Sequence, residues 1–171
     1  MRPLTAYCLL FALLVLTGFS SCISDEPSEE TGLGVGDPLP AFQVTMNDGS
    51  AVSTADLLGS VSVVVFFSVD CSDCRVELPE VQRLWDQQLG VPIVLIAREN
   101  TEEAILSFWQ QAQLTMPYSP QSDRRVYSLF ATSRIPRIYI SDSQGIIRYS
   151  HTDDAMPTAE QMTDEIQTLK R

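Results

Sequence analysis

At 171 residues, with 44% hydrophobic residues and a mean hydropathy of +0.04, the chain has apolar material for one well-buried core and not for several. A formal net charge of −11 excludes a nucleic-acid partner, because phosphate would meet like charge on approach. Of the four cysteines, Cys8 and Cys22 fall in or just after an N-terminal apolar stretch, and the single remaining pair excludes a scaffold stapled by disulfides.

Residues 1–21 read as a signal peptide, with Arg2 near the start, an apolar run from Leu4 to Leu16, and small residues through Ser21. The run falls short of the roughly 20 residues that a membrane-crossing helix needs. Its end on Cys22 resembles a bacterial lipobox, with Phe19 where that pattern usually carries leucine. The resemblance implies that Cys22 becomes the lipidated first residue, which gives a lipid anchor to a membrane. Residues 22–36, which include ISDEPSEETGLGVG, are acidic and glycine-rich and bury too little to fold, so they form a flexible tether. An acidic run directly after a lipidated cysteine resembles the surface-export signals of Bacteroidetes lipoproteins.

Residues 37–171 form the folded domain. Ala41 to Met46 alternates across two faces, Asn47-Asp48-Gly49 supplies turn chemistry, and Ala51-Val52-Ser53 returns, which predicts a β-hairpin. A helical turn over Thr54–Leu58 ends at Gly59. Val61 to Ser68 is apolar on both faces and therefore reads as a central buried strand. It delivers Cys71-Ser72-Asp73-Cys74 to the start of a helix. There the first sulfur lies near unpaired backbone N–H groups and the positive end of the helix dipole, which stabilise a thiolate. The second sulfur, one turn on, can close a disulfide, and such a pair serves thiol–disulfide exchange.

The helix carries Leu78, Val81 and Trp85 on the face of Cys74 and is expected to close at Leu89-Gly90, with a kink near Arg75 caused by Pro79. Val91 to Ala97 reads as a second buried strand and Thr101 to Gln113 as a helix capped by Thr101, with Glu102 and Glu103 in its first turn. Met116 to Gln121 reads as loop or edge, and Ser122-Asp123 as the cap of a helix reaching Ala131. Arg137–Ser141 and Ile146–Tyr149 form a last hairpin, and Pro157 opens a final helix that ends at Lys170-Arg171. Strands joined by helices, with a hairpin at each end, predict an α/β fold with a mixed central sheet.

GDPLPAFQVTMNDGSAVSTADLLGSVSVVVFFS, then DCSDCRVELPEVQRL, then SRIPRIYISDSQGIIRY resemble the TlpA/ResA-like branch of the thioredoxin superfamily across essentially the whole domain. The resemblance implies a thioredoxin-like fold with an N-terminal β-hairpin extension. It implies that Cys71 is the nucleophile, Cys74 the resolving cysteine, and Pro136 a cis-proline facing the pair. Glu77 stands where this branch carries an acidic residue, read as a partly buried proton acceptor. The backbone of Ile135 would pair with an incoming peptide.

The site departs from the family in its charge. Asp70 replaces a tryptophan, Ser72-Asp73 replaces a proline-containing pair, and Arg137 replaces a threonine-like residue after the proline. Asp70 and Asp73 disfavour the Cys71 thiolate and would tune the couple to the reducing side. Arg134 and Arg137 either offset those aspartates or recognise an acidic partner. A zinc half-site is the weaker reading of the cysteines, since zinc normally takes four ligands and the chain adds only His151.

The expected protein is a membrane-tethered thiol–disulfide oxidoreductase of the cell envelope, on the periplasmic side or the outer-membrane surface. It acts as a monomer without bound cofactor or metal. It reduces protein disulfides and is re-reduced by a membrane electron donor. Two rival readings stand beside it. One is a peroxiredoxin-like thiol peroxidase, from the hydroxyl-x-x-Cys spacing of Ser68 and Cys71, although Val64 occupies the place of that family's proline. The other is a redox-inactive thioredoxin-fold binding module.

Overall fold

A computed structural model of the chain describes residues 32–171, so the stretch read as a signal peptide, Cys22 and the acidic part of the expected tether lie outside the described residues. The central strand β3 (Ser62–Phe67) is buried along its whole length. Its β-branched and aromatic side chains suit a strand covered on both faces. It pairs in parallel with β4 (Ile93–Ala97), setting Val65 opposite Leu95, and antiparallel with β6 (Arg137–Ser141), setting Val65 opposite Ile138. β5 (Tyr118–Ser119) adds one edge and β7 (Ile147–Thr152) the other, giving the order β5-β4-β3-β6-β7. The separate hairpin of β1 (Gln43–Thr45) and β2 (Ala51–Ser53) forms around Asn47-Asp48-Gly49 as the alternation requires, and the short helix α1 (Thr54–Leu57) follows it.

Successive residues of β3 supply the two faces. On one, Phe66 packs against Phe130 at 4.7 Å and Tyr127 at 5.5 Å between ring centroids, and Phe42 brings the N-terminal segment onto Phe130 at 5.6 Å. On the other, Phe67 meets Trp109 of α3 (Glu102–Ala112) at 5.2 Å. Helix α2 (Ser72–Asp86) abuts α3 where the Arg75 guanidinium lies 5.3 Å from the Phe108 ring. It abuts α4 (Ala159–Leu169) where Glu80 accepts the Ala159 N–H at 3.1 Å.

Four boundaries differ from the sequence reading, each for a local reason. The packed chain reaches back past Asp37, because the Leu33 N–H donates to the Phe130 carbonyl and the Gly36 N–H to that of Ile147. Helix α2 runs on through Pro79 but stops at Asp86, three residues before Leu89, where Gln88 turns left-handed at φ 53°. No α-helix forms over 122–131. The Asp123 carboxylate accepts from the N–H and Nε of Arg125, a local turn in place of a helix cap, and only a 3-10 turn at Tyr127–Leu129 remains. Pro157 precedes the cap of α4 and does not open the helix; the cap is Thr158, whose hydroxyl accepts from Gln161 N–H.

Candidate active site at the Cys71–Cys74 pair

Phe67 ends β3, and Ser68 to Asp70 carry the chain over to α2, where Cys71 is the N-cap residue in extended conformation. The Cys74 N–H donates to Cys71 Sγ at 3.3 Å, one of the orphan donors at a helix start turned onto sulfur. The Cys71 thiol in turn donates to the Ile135 carbonyl at 3.5 Å, and the Ile135–Pro136 peptide is cis. Both cysteines are free thiols. Cys71 is half-buried, whereas Cys74 is fully buried, and that burial, followed by the hydrogen bond to Cys71, raises its thiol far above the ordinary range.

One turn further along α2, Glu77 is 2% exposed. Burial first, and the neighbouring Glu80 second, push its carboxyl up to about 7. Among the described residues its Oε1 has no hydrogen-bond partner. Such a carboxyl changes protonation near neutral pH, which is what a proton acceptor for a buried thiol requires.

Cys71 opens onto a cleft of about 380 Å³, bordered by Ser68, Asp70, Arg98, Arg134, Ile135 and Asp153. Asp70 is exposed, and the Asn100 side chain amide donates to its carboxylate at 2.9 Å. Asp73 is exposed in the first turn of α2. The structure thus brings Cys71, Cys74, Ile135, Pro136 and Asp70 together.

Arg137 it places elsewhere. The side chain is 4% exposed, and its Nε donates to the Ser133 carbonyl and an NH to the Tyr139 hydroxyl. It shares the face of Tyr139, two residues on in β6, so its charge belongs to the scaffold and does not reach an incoming chain. Arg134, left-handed at φ 68°, faces the cleft but is paired with Asp153 at 3.5 Å and with Asp154.

Two contributors escaped the sequence reading, Arg98 and Asn100, which follow β4. A signal for them existed: β3 and β4 are parallel neighbours, and the groups just past the carboxyl ends of parallel strands converge.

Comparison with known proteins gives a consistent picture. The AhpC/TSA family model matches residues 35–150. The thiol:disulfide interchange protein DsbE of Pseudomonas aeruginosa is 31% identical over 129 residues, covering 72% of this chain and 69% of that protein. The thiol-disulfide oxidoreductase ResA of Oceanobacillus iheyensis is 26% identical over 144 residues, covering 81% and 75%. Among solved structures, a thioredoxin-family thiol:disulfide interchange protein from Chlorobium tepidum superposes with a TM-score of 0.67 at 19% identity, covering 80% of this chain and 98% of that one. At that identity the likeness speaks for the thioredoxin fold.

Proposed function

Because the chain belongs to the AhpC/TSA family and is a thiol–disulfide oxidoreductase, we propose that it reduces disulfides of other envelope proteins through Cys71 and Cys74 while tethered to a membrane. The observation that carries this reading is the inequality of the two sulfurs, one facing a cleft and bonded by a helix-start N–H, the other fully buried behind it.

The Cys71 thiolate attacks one sulfur of a substrate disulfide, forming a mixed disulfide and releasing the other substrate sulfur as thiolate. Cys74 then loses its proton to Glu77 and attacks Cys71 Sγ. The mixed bond breaks, the Cys71–Cys74 disulfide forms, and the second substrate sulfur leaves as thiolate. Two electrons pass from the protein to the substrate. The Ile135 carbonyl, which accepts from the Cys71 thiol at 3.5 Å and precedes the cis bond to Pro136, would meet the backbone of a bound peptide. Asp70 and Asp73 put negative charge near the sulfur, which poises the couple for reduction. A thiol donor at the membrane restores the dithiol.

The test is turnover of a protein disulfide, insulin for instance, by the dithiothreitol-reduced chain, run beside consumption of hydrogen peroxide. Insulin reduction without peroxide turnover is expected. A second reading, thiol peroxidase, is favoured by one observation: Ser68, Arg98 and Cys71 border a single cleft, so a hydroxyl and a guanidinium accompany the sulfur. Peroxide turnover without insulin reduction would favour that reading, and neither activity would favour a binding module.

For the tether, the support is the lipobox-like ending at Cys22 in a chain whose described residues contain no helix long and apolar enough to cross a membrane. Cys22→Ala is expected to move the protein out of the detergent phase or to leave an uncleaved precursor. Unchanged partitioning on phase separation would show that lipid is not carried at Cys22.

A further inference from the structure

Asn100 is 3% exposed, and both ends of its side chain amide are used on the two residues that precede Cys71. Its Oδ1 accepts the Val69 N–H at 2.9 Å, and its Nδ2 donates to the Asp70 carboxylate at 2.9 Å. Its own N–H donates to the Gln121 carbonyl at 2.9 Å, which anchors the residue itself. Asp70 is exposed, and an exposed carboxylate left alone would spend its time in water, away from the sulfur.

We propose that Asn100 is a positioning residue for the dithiol reaction: it holds the Asp70 carboxylate at the cleft beside Cys71 and thereby sets how fast that sulfur reacts. The proposal rests on Cys71 being the attacking sulfur. Neither arginine bordering the cleft bonds this carboxylate, although the charge of Arg98 also acts on the pair and favours the Cys74 thiolate. Arg134 is paired with Asp153 and Asp154, and Arg98 lies 5.1 Å from the Tyr127 ring with its Nε 3.7 Å from the Glu99 carboxylate. Among the described residues no cation forms an ion pair with Asp70, whose side chain is held by a neutral amide. A neutral partner fixes the position of a charge without cancelling it, so the carboxylate keeps its charge at the cleft.

The experiment measures alkylation of Cys71 by iodoacetamide at pH 7 in the reduced full chain, read on the Cys71 peptide by mass spectrometry. It compares wild type, Asp70→Asn, Asn100→Ala and the double variant. Asp70→Asn is expected to speed alkylation about threefold, as loss of one nearby like charge does. Asn100→Ala is expected to speed it comparably by freeing the carboxylate, and the double variant to react no faster than Asp70→Asn alone.

An equal gain from Asn100→Ala with or without the Asp70 charge would show that Asn100 acts through packing and overturn the proposal. No change in Asp70→Asn would overturn it as well, and that arm alters an exposed side chain, so it reads out even where Asn100→Ala fails to fold. Asn100→Ser, which keeps a hydroxyl near the Val69 N–H, repeats the cycle in that event. Failure of the underlying reading shows differently, as insulin reduction that survives Cys71→Ser while the alkylation cycle behaves as expected.

Discussion

Cys71→Ser is expected to lower insulin reduction by about a thousandfold or more, because a serine hydroxyl offers neither a thiolate near neutral pH nor a sulfur for a mixed disulfide. The asymmetry of the pair makes the prediction specific to this position. Cys71 borders the cleft and receives the Cys74 N–H on its sulfur, whereas Cys74 is fully buried and its thiol is raised far above the usual range. A substrate disulfide therefore reaches only the first sulfur. Cys74→Ser should retain the attack and lose the release, giving one reaction per molecule and no turnover. Stopped-flow measurement with a dithiol-reduced enzyme separates the two outcomes. Attack at undiminished rate by Cys71→Ser would reassign the nucleophile.

Glu77→Gln should stabilise the protein above neutral pH and leave it unchanged in acid. The Glu77 carboxyl stands at about 7 in the folded chain against an ordinary 4.5, because burial and Glu80 both disfavour its charge. The folded state thus binds the proton more tightly than the unfolded state. Its contribution is most favourable below pH 4.5, declines as pH rises from there to 7, and is level above. At about 1.4 kcal/mol per pH unit the wild type loses roughly 3 kcal/mol across that window. Glutamine resembles the protonated acid and avoids the loss, so denaturant unfolding should show the variant ahead by roughly 2–3 kcal/mol at pH 8 and level with wild type at pH 4. In the proposed mechanism the same substitution removes the acceptor for the Cys74 proton, so turnover should fall while stability rises. Equal stability at both pH values would mean that the carboxyl is not held in its buried position.

The parts of this molecule that were legible in its sequence are those governed by local pattern. The unbroken apolar run at β3 could only be a strand buried on both faces, and its abutment on a Cys-x-x-Cys marks the candidate site. Thr101 as a helix cap and Asn47-Asp48-Gly49 as a hairpin turn were equally direct, since their chemistry acts within a few residues.

What was hidden depends on contacts between distant segments. Arg137 next to the cis-proline read as a cation that offsets Asp70 and Asp73 or recognises an acidic partner, and only the pairing of β6 with β3 turns its face toward Tyr139 and the aromatic layer. Asp123 looked like a helix cap, but its carboxylate is satisfied by Arg125 two residues on. Asn100 sits 30 residues beyond Asp70 and reaches it because β3 and β4 run in parallel and end together.

The most direct measurement of the central claim is covalent trapping. Cys74→Ser and Cys71→Ser proteins, each reduced and incubated with envelope extract, are alkylated and separated under non-reducing conditions, and the adducts identified by mass spectrometry. With Cys71 attacking and Cys74 resolving, the Cys74→Ser protein accumulates disulfide-linked partners through Cys71, and the Cys71→Ser protein accumulates almost none. Equal trapping by both variants, or adducts on Cys74 alone, would contradict the division of labour that the geometry supports.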